Sequence, residues 1–125
     1  MNYEKQIKVL LDGFAGALNS ADSESLPTYF AANAQFMPEG RNTITKLSDL
    51  TNSSKYLKDN FFKIGYTIEN LEIDGDFAFV SAVASTSQIE VASKLAVNKT
   101  SRDLFVLKKI SEDWKIYRYM FNNVK

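Results

Sequence analysis

The sequence contains neither cysteine nor histidine. Without cysteine it has no disulfide, no thiolate ligand and no thiol nucleophile. With histidine missing too, the soft nitrogen and sulfur donors that hold zinc, copper or iron are absent, so neither a metal site nor a cofactor is expected. A Ser-His-Asp triad is excluded, and any catalysis falls to Asp, Glu, Tyr, Lys, Arg or water held by them. An excess of one charge is also lacking: 15 basic residues balance 15 acidic ones. The lysines and arginines are scattered, and nothing marks a surface that neutralises phosphates, so no nucleic-acid partner is expected. No apolar run reaches the length of a membrane span, and the start, Met-Asn-Tyr-Glu-Lys-Gln, lacks the layout of a signal peptide. A cytoplasmic protein is expected.

What is present suits one domain over residues 1–125, large enough to bury roughly two-thirds of its unfolded surface. Ile7, Leu10, Leu11, Phe14 and Leu18 recur at helical spacing, which predicts an amphipathic helix over 3–19. Asp22 is a natural N-cap for a short second helix carrying Leu26, Tyr29 and Phe30, with Pro27 tolerable only near its start. Ala34 to Met37 is a brief strand stopped at Pro38-Glu39-Gly40. A polar loop over 41–52, anchored by Ile44, Leu47 and Leu50, leads to a third helix capped by Ser53 or Ser54 and carrying Tyr56, Leu57, Phe61 and Phe62. After Gly65 the period changes to two: a strand over 66–73, a turn at Asp74-Gly75 and a long strand over 77–89. Helices first and strands afterwards predict an α+β fold, with three N-terminal helices on one face of a curved antiparallel sheet.

The last quarter is the most informative. Two β-rich runs flank Ser111-Glu112-Asp113 and form a closing hairpin that carries the only tryptophan. Alternation puts Trp114, Ile116, Arg118, Met120 and Asn122 on one strand face and Tyr117, Tyr119 and Phe121 on the other. In the hairpin Arg118 should face Val106, and Arg102 should lie near Asn122. Asp103 then points away from Arg102, to a surface or dimer face. Ala78, Ala82 and Ala84 make one smooth face of the long strand, fit for packing on a second subunit or for plain core packing.

Several of these pieces together resemble the nuclear-transport-factor-2-like superfamily, and within it the SnoaL-like group: Ala17 to Asp22, Tyr29-Phe30 before Ala34 to Pro38, Gly75 to Ala78, Arg102 to Leu107, Trp114 to Ile116 and Arg118 to Asn122. The resemblance implies a cone-shaped α+β barrel of cystatin-like type, a pocket between sheet and helices, and a homodimer formed through the sheet. It also implies that the Arg118 face of the last strand looks into the cavity. Arg118, Asn122, Arg102, Met120, Tyr56, Tyr29, Phe14 and Val106 are then the candidate pocket residues, with Glu39, at the rim beside Gly40 and Arg41, as a candidate base. The ketosteroid isomerases of the superfamily need a carboxylate base, a tyrosine and a protonated aspartate. Ungapped matching puts those roles on Pro38, Phe14 and Val106, none of which can perform them, so steroid isomerisation is not expected.

Three functions remain open. The first is a binding module for a small, mostly apolar molecule whose anionic or carbonyl end meets Arg118 and Asn122. The second is a lyase or isomerase that shuttles a proton through Glu39 or a tyrosine, with Arg118 stabilising an enolate. The third is a non-catalytic dimeric interaction domain whose cavity is filled by its own side chains. For Arg118 itself, bracing of the sheet by pairing with Glu72 or Asp103 competes with a pocket role.

Overall fold

A computed structural model describes residues 2–124. Helix α1 runs over Tyr3–Asn19, as the apolar spacing predicts; the Asn2 side chain caps it by accepting from the Lys5 amide at 3.0 Å. Its buried stripe is Ile7, Leu11, Phe14, Ala15 and Ala17. The segment after Asp22 is a tight 3-10 turn, Ser23–Tyr29, rather than an α-helix. Pro27 lies inside it, where a ring that lacks an N–H and crowds the carbonyl four residues back disfavours α geometry. Asp22 occupies the N-cap position without a side-chain cap bond. Strand β1, Phe30–Met37, follows at once and is longer than the predicted one.

The polar loop closes back on β1 through a single bridge between Phe36 and Ile44. A 3-10 stretch, Leu47–Ser53, continues into helix α2, Ser54–Asp59. Neither serine caps α2 by a side-chain bond: Ser53 Oγ donates to the Leu50 carbonyl and Ser54 Oγ to the Ala21 carbonyl, which ties α2 to the end of α1. Phe61 falls beyond the helix, at positive φ and exposed.

Four strands complete the chain: β2 Lys63–Asp74, β3 Phe77–Ile89, β4 Ala96–Ile110 and β5 Asp113–Val124. The β2–β3 turn places Gly75 at φ 61°, a conformation that glycine adopts without strain. In the β4–β5 turn both Ser111 and Glu112 have positive φ, the type I′ pattern that matches strand twist. The sheet order is β1-β5-β4-β3-β2. β2 to β5 are antiparallel, whereas β1 joins the far edge parallel to β5. The sheet is therefore mixed and open rather than a closed antiparallel barrel. An edge strand reached through helical connections is free to run either way.

The inner sheet face packs on the helices. Phe105, Leu107, Val80 and Ile116 from the sheet and Ile7 and Leu11 from α1 are fully buried. Cross-strand register sorts the two faces into rows. Leu71, Val80, Phe105, Tyr119 and Phe36 form one inner row; Ile68, Ala82, Asp103 and Phe121 form the next; Tyr66, Ala84, Ser101 and Asn123 a third. On the outer face, Glu72, Phe79, Val106, Arg118 and Gln35 share a row, followed by Asn70, Ser81, Leu104 and Met120.

This overturns the expected direction of the last strand. Leu107 pairs with Ile116 but Val106 pairs with Arg118, so Tyr117 is an extra residue in a β-bulge. A one-residue insertion reverses the face of everything after it. Trp114 and Ile116 point inward, as predicted, but beyond the bulge Tyr119, Phe121 and Asn123 take the inner face. Arg118, Met120 and Asn122 take the outer one. The alanines of β3 are likewise inward and at most 3% exposed, so they form the floor of the inner face and not an intersubunit surface.

Candidate functional site

Between the inner face and the helical segments lies a cavity of about 370 Å³, within the range of small-molecule pockets. Its walls are largely apolar and aromatic: Phe14 and Leu18 from α1, Phe36 from β1, Leu50 and Leu57 from the α2 region, Tyr66 from β2, Tyr119 and Phe121 from β5. Glu39, Arg41, Asp49 and Lys99 line it where the residues are exposed, and so belong to the rim.

One charged residue lies deep in the wall. Asp103 is 3% exposed, with Tyr119 at 3% and Ser101 at 5% beside it. Ser101 Oγ donates to Asp103 Oδ1 at 2.5 Å, and the Tyr119 hydroxyl donates to Oδ2 at 2.5 Å. The hydroxyls of Tyr119 and Tyr66 are 2.9 Å apart. Because the Tyr119 proton is directed at the carboxylate, Tyr66 must be the donor to Tyr119. The three hydroxyl protons thus all point down a chain that ends on Asp103.

Local sequence explains this chain. Ser101 and Asp103 alternate with Arg102 on β4 and share a face. The bulge at Tyr117 brings Tyr119 to that same face. Tyr66 reaches Tyr119 across the two intervening strands, β3 and β4, where the small side chains of Ala82, Ala84 and Ser101 leave room above the sheet. The Tyr119 ring is itself fixed, stacked on Phe105 at 4.1 Å and on Phe36 at 4.8 Å.

Burial raises the pKa of Asp103 above the ordinary carboxyl range, opposed by the hydrogen bonds from Ser101 and Tyr119. Burial also pushes the Tyr66 and Tyr119 hydroxyls well up, reinforced by the Asp103 charge, so both tyrosines keep their protons. A carboxyl group of raised pKa in an apolar pocket can hold a polar ligand atom or move a proton.

Of the residues singled out from sequence, Phe14, Tyr56 and Glu39 line the cavity, and Pro38 does so too. Tyr29 lies behind the wall, edge-on to Phe14 at 6.0 Å. Arg102, Val106, Arg118, Met120 and Asn122 do not line it, since their positions face outward. The expected cross-strand pairs exist on that outer face: Val106 opposes Arg118, and Arg102 Nε donates to Asn122 Oδ1 at 3.3 Å. Arg118 braces the strand, donating to the carbonyls of Asn33 and Tyr117 and stacking over the Tyr117 ring at 4.0 Å, without Glu72 or Asp103. With Val106 outward, Asp103 is the acid that β4 presents to the cavity. Asp103, Ser101, Tyr119 and Tyr66 were missed as a group. The signal was available in the shared parity of Asp103 with Phe105 and Leu107.

Among the described residues no group of acidic side chains is arranged to hold a metal ion, and no helix is long and apolar enough to cross a membrane.

The sequence profile of the SnoaL-like domain matches residues 7–121. No curated protein matches the sequence. Several solved structures share the fold. A ketosteroid isomerase-like protein from Erwinia carotovora atroseptica superposes with a TM-score of 0.82 at 19% identity, over 100% of this chain and 99% of the other. A nuclear-transport-factor-2-like protein with a cystatin-like fold from Novosphingobium aromaticivorans gives 0.81 at 12% identity, over 98% and 82%. A hexachlorocyclohexane dehydrochlorinase gives 0.84 at 12% identity, over 98% and 89%.

Proposed function

Since this chain belongs to the SnoaL-like domain family, whose fold suits ligand binding or isomerase- and dehydratase-type chemistry, we propose that it binds a small, mostly apolar molecule in the inner cavity, with the ligand's polar end against Asp103. The observation that carries this is the one buried carboxyl among the described residues, set in a largely apolar, aromatic wall. Apolar walls supply affinity by burial, and one deep polar group fixes orientation. The anionic end expected from Arg118 is not retained, because that side chain faces outward and Asp103 would repel an anion.

Titration with naphthylmethanol of protein labelled with 13C in its phenylalanine and tyrosine rings tests the proposal. Resonances of Phe14, Phe36, Tyr66, Tyr119 and Phe121 should move, while Phe79 on the outer face stays still. Perturbation confined to the outer face would sink it.

A second reading, proton shuttling in a lyase or isomerase, is favoured by the raised pKa of Asp103 and the hydroxyl chain behind it. In that reading Asp103 takes the role first assigned to Glu39.

A homodimer through the sheet remains our proposal for the partner. Phe79, Leu104 and Met120 are 42%, 43% and 46% exposed on the outer face. Glu72 and Arg118 stand at opposite sides of one outer row, so a twofold axis across it would set each against its opposite charge. Sedimentation of Leu104→Glu tests this; an unchanged dimer would place the interface elsewhere.

A further inference from the structure

We infer that the ligand's polar end is a cationic amine, held by the Asp103 carboxylate inside a ring of aromatic side chains. The inference rests on the cavity-binding proposal above and specifies its chemistry.

Three observations carry it. First, Asp103 has no cationic partner: among the described residues the ion pairs join Lys8 to Asp12, Lys55 to Asp59 and Lys109 to Asp76, all elsewhere. Buried carboxylates are ordinarily paired. The cations on the cavity wall, Arg41 and Lys99, are exposed at its rim. Lys99 stands four residues up β4, about 13 Å away at strand rise, and makes no ion pair with Asp103.

Second, the groups that do contact Asp103 are hydroxyl donors, Ser101 and Tyr119. They solvate a negative charge without neutralising it, and each carboxylate oxygen keeps a lone pair free for a further donor. An ammonium group supplies both the donor and the missing charge.

Third, the cavity that Asp103 lines is also walled by Phe14, Phe36, Tyr66 and Phe121. Their negative ring faces favour an organic cation over a neutral or anionic end, and the apolar surface accepts the rest of the molecule.

The groups facing Asp103 are Ser101 on its own strand, Tyr119 on β5 and Tyr66 on β2, with Glu39, Arg41, Asp49 and Lys99 around the rim. Of these, the two tyrosines stay protonated in the range where amines bind.

The test compares naphthylmethylamine, naphthylmethanol and naphthoate by isothermal titration at neutral pH. These share one apolar body and differ in charge. The amine should bind about tenfold tighter than the alcohol, the scale of a desolvated cation on aromatic faces, and naphthoate weakest. Asp103→Asn should erase the difference between amine and alcohol. Should that variant fail to fold, acidification of the wild-type protein and of Glu39→Gln replaces it: affinity for the amine should fall in both while that for the alcohol holds. Equal affinity for amine and alcohol, or strongest binding of naphthoate, would overturn the cationic ligand while leaving a binding cavity. If none of the three binds, the cavity-binding proposal fails with it.

Discussion

Replacing Tyr119 by phenylalanine isolates the hydroxyl chain from everything else in the site. The substitution deletes the donor to Asp103 Oδ2 and the acceptor of the Tyr66 proton. It keeps the ring, so stacking on Phe105 and Phe36 survives. With Tyr119 3% exposed, bulk solvent has little access to the lost donor's place. A hydrogen bond to a charged group contributes about 1.5–3 kcal/mol. At about 2.1 cal/mol/K per residue, a chain of 125 residues unfolds with an entropy near 0.26 kcal/mol/K, which converts the loss to a Tm lower by about 6–11 °C at neutral pH. In acid, where Asp103 is protonated, the same bond is neutral and contributes about 0.5–1.5 kcal/mol, so the drop shrinks to about 2–6 °C. Calorimetry at both pH values, on wild type, Tyr119→Phe, Asp103→Asn and the double variant, measures this. A neutral-pH shift below about 2 °C, or an undiminished shift in the Asp103→Asn background, would refute the charged chain.

Asp103→Asn should itself alter the pH dependence of stability. The folded pKa of Asp103 is raised by burial, so between its unfolded and folded values the native state holds the proton more tightly. Its contribution is fully present below the ordinary carboxyl pKa and is lost as pH rises through the folded value. Urea unfolding across that window should therefore show the variant gaining on wild type as pH rises; a constant difference would contradict the sign. Gly16→Ala, in the last turn of α1, should raise Tm by up to about 2–4 °C, since a Cβ there meets open space. Gly13→Ala should forfeit that gain, because its Cβ would come within 2.9 Å of Tyr29 Cε1; equal Tm values for the two variants would count against the close contact. Arg118→Ala should leave naphthylmethanol affinity unchanged and cost about 1 kcal/mol of stability through its lost carbonyl contacts. Weakened binding there would mean that the outer and inner faces are coupled.

The elements were legible in the sequence wherever periodicity was unbroken. Helix α1, β3 and both tight turns follow directly from apolar spacing and turn residues. The serines at the start of α2 were less readable, because hydrogen bonds from their hydroxyls to backbone carbonyls, Ser53 to Leu50 and Ser54 to the distant Ala21, decide their roles. The site failed at one point. Strict alternation from Trp114 carries Arg118 inward, and a bulge at Tyr117 cancels it. Bulges obey no alternation rule, and the consecutive large residues Ile116 and Tyr117 do not single one out, since Met120 and Phe121 run on in unbroken register. The cross-strand partners of Arg102 and Arg118 were read rightly, because pairing depends on register and not on which side of the sheet is wet.

That extra residue makes β5 resemble a message with a reading frame. In the present frame the cavity receives Tyr119, Phe121 and Asn123, and the solvent side receives Arg118, Met120 and Asn122. Loss of Tyr117 would exchange the two sets in a single step, setting a guanidinium and an amide beside the Asp103 carboxyl, which stays on β4. One deletion moves the chemistry, while the helices, the turns and the first four strands keep their places.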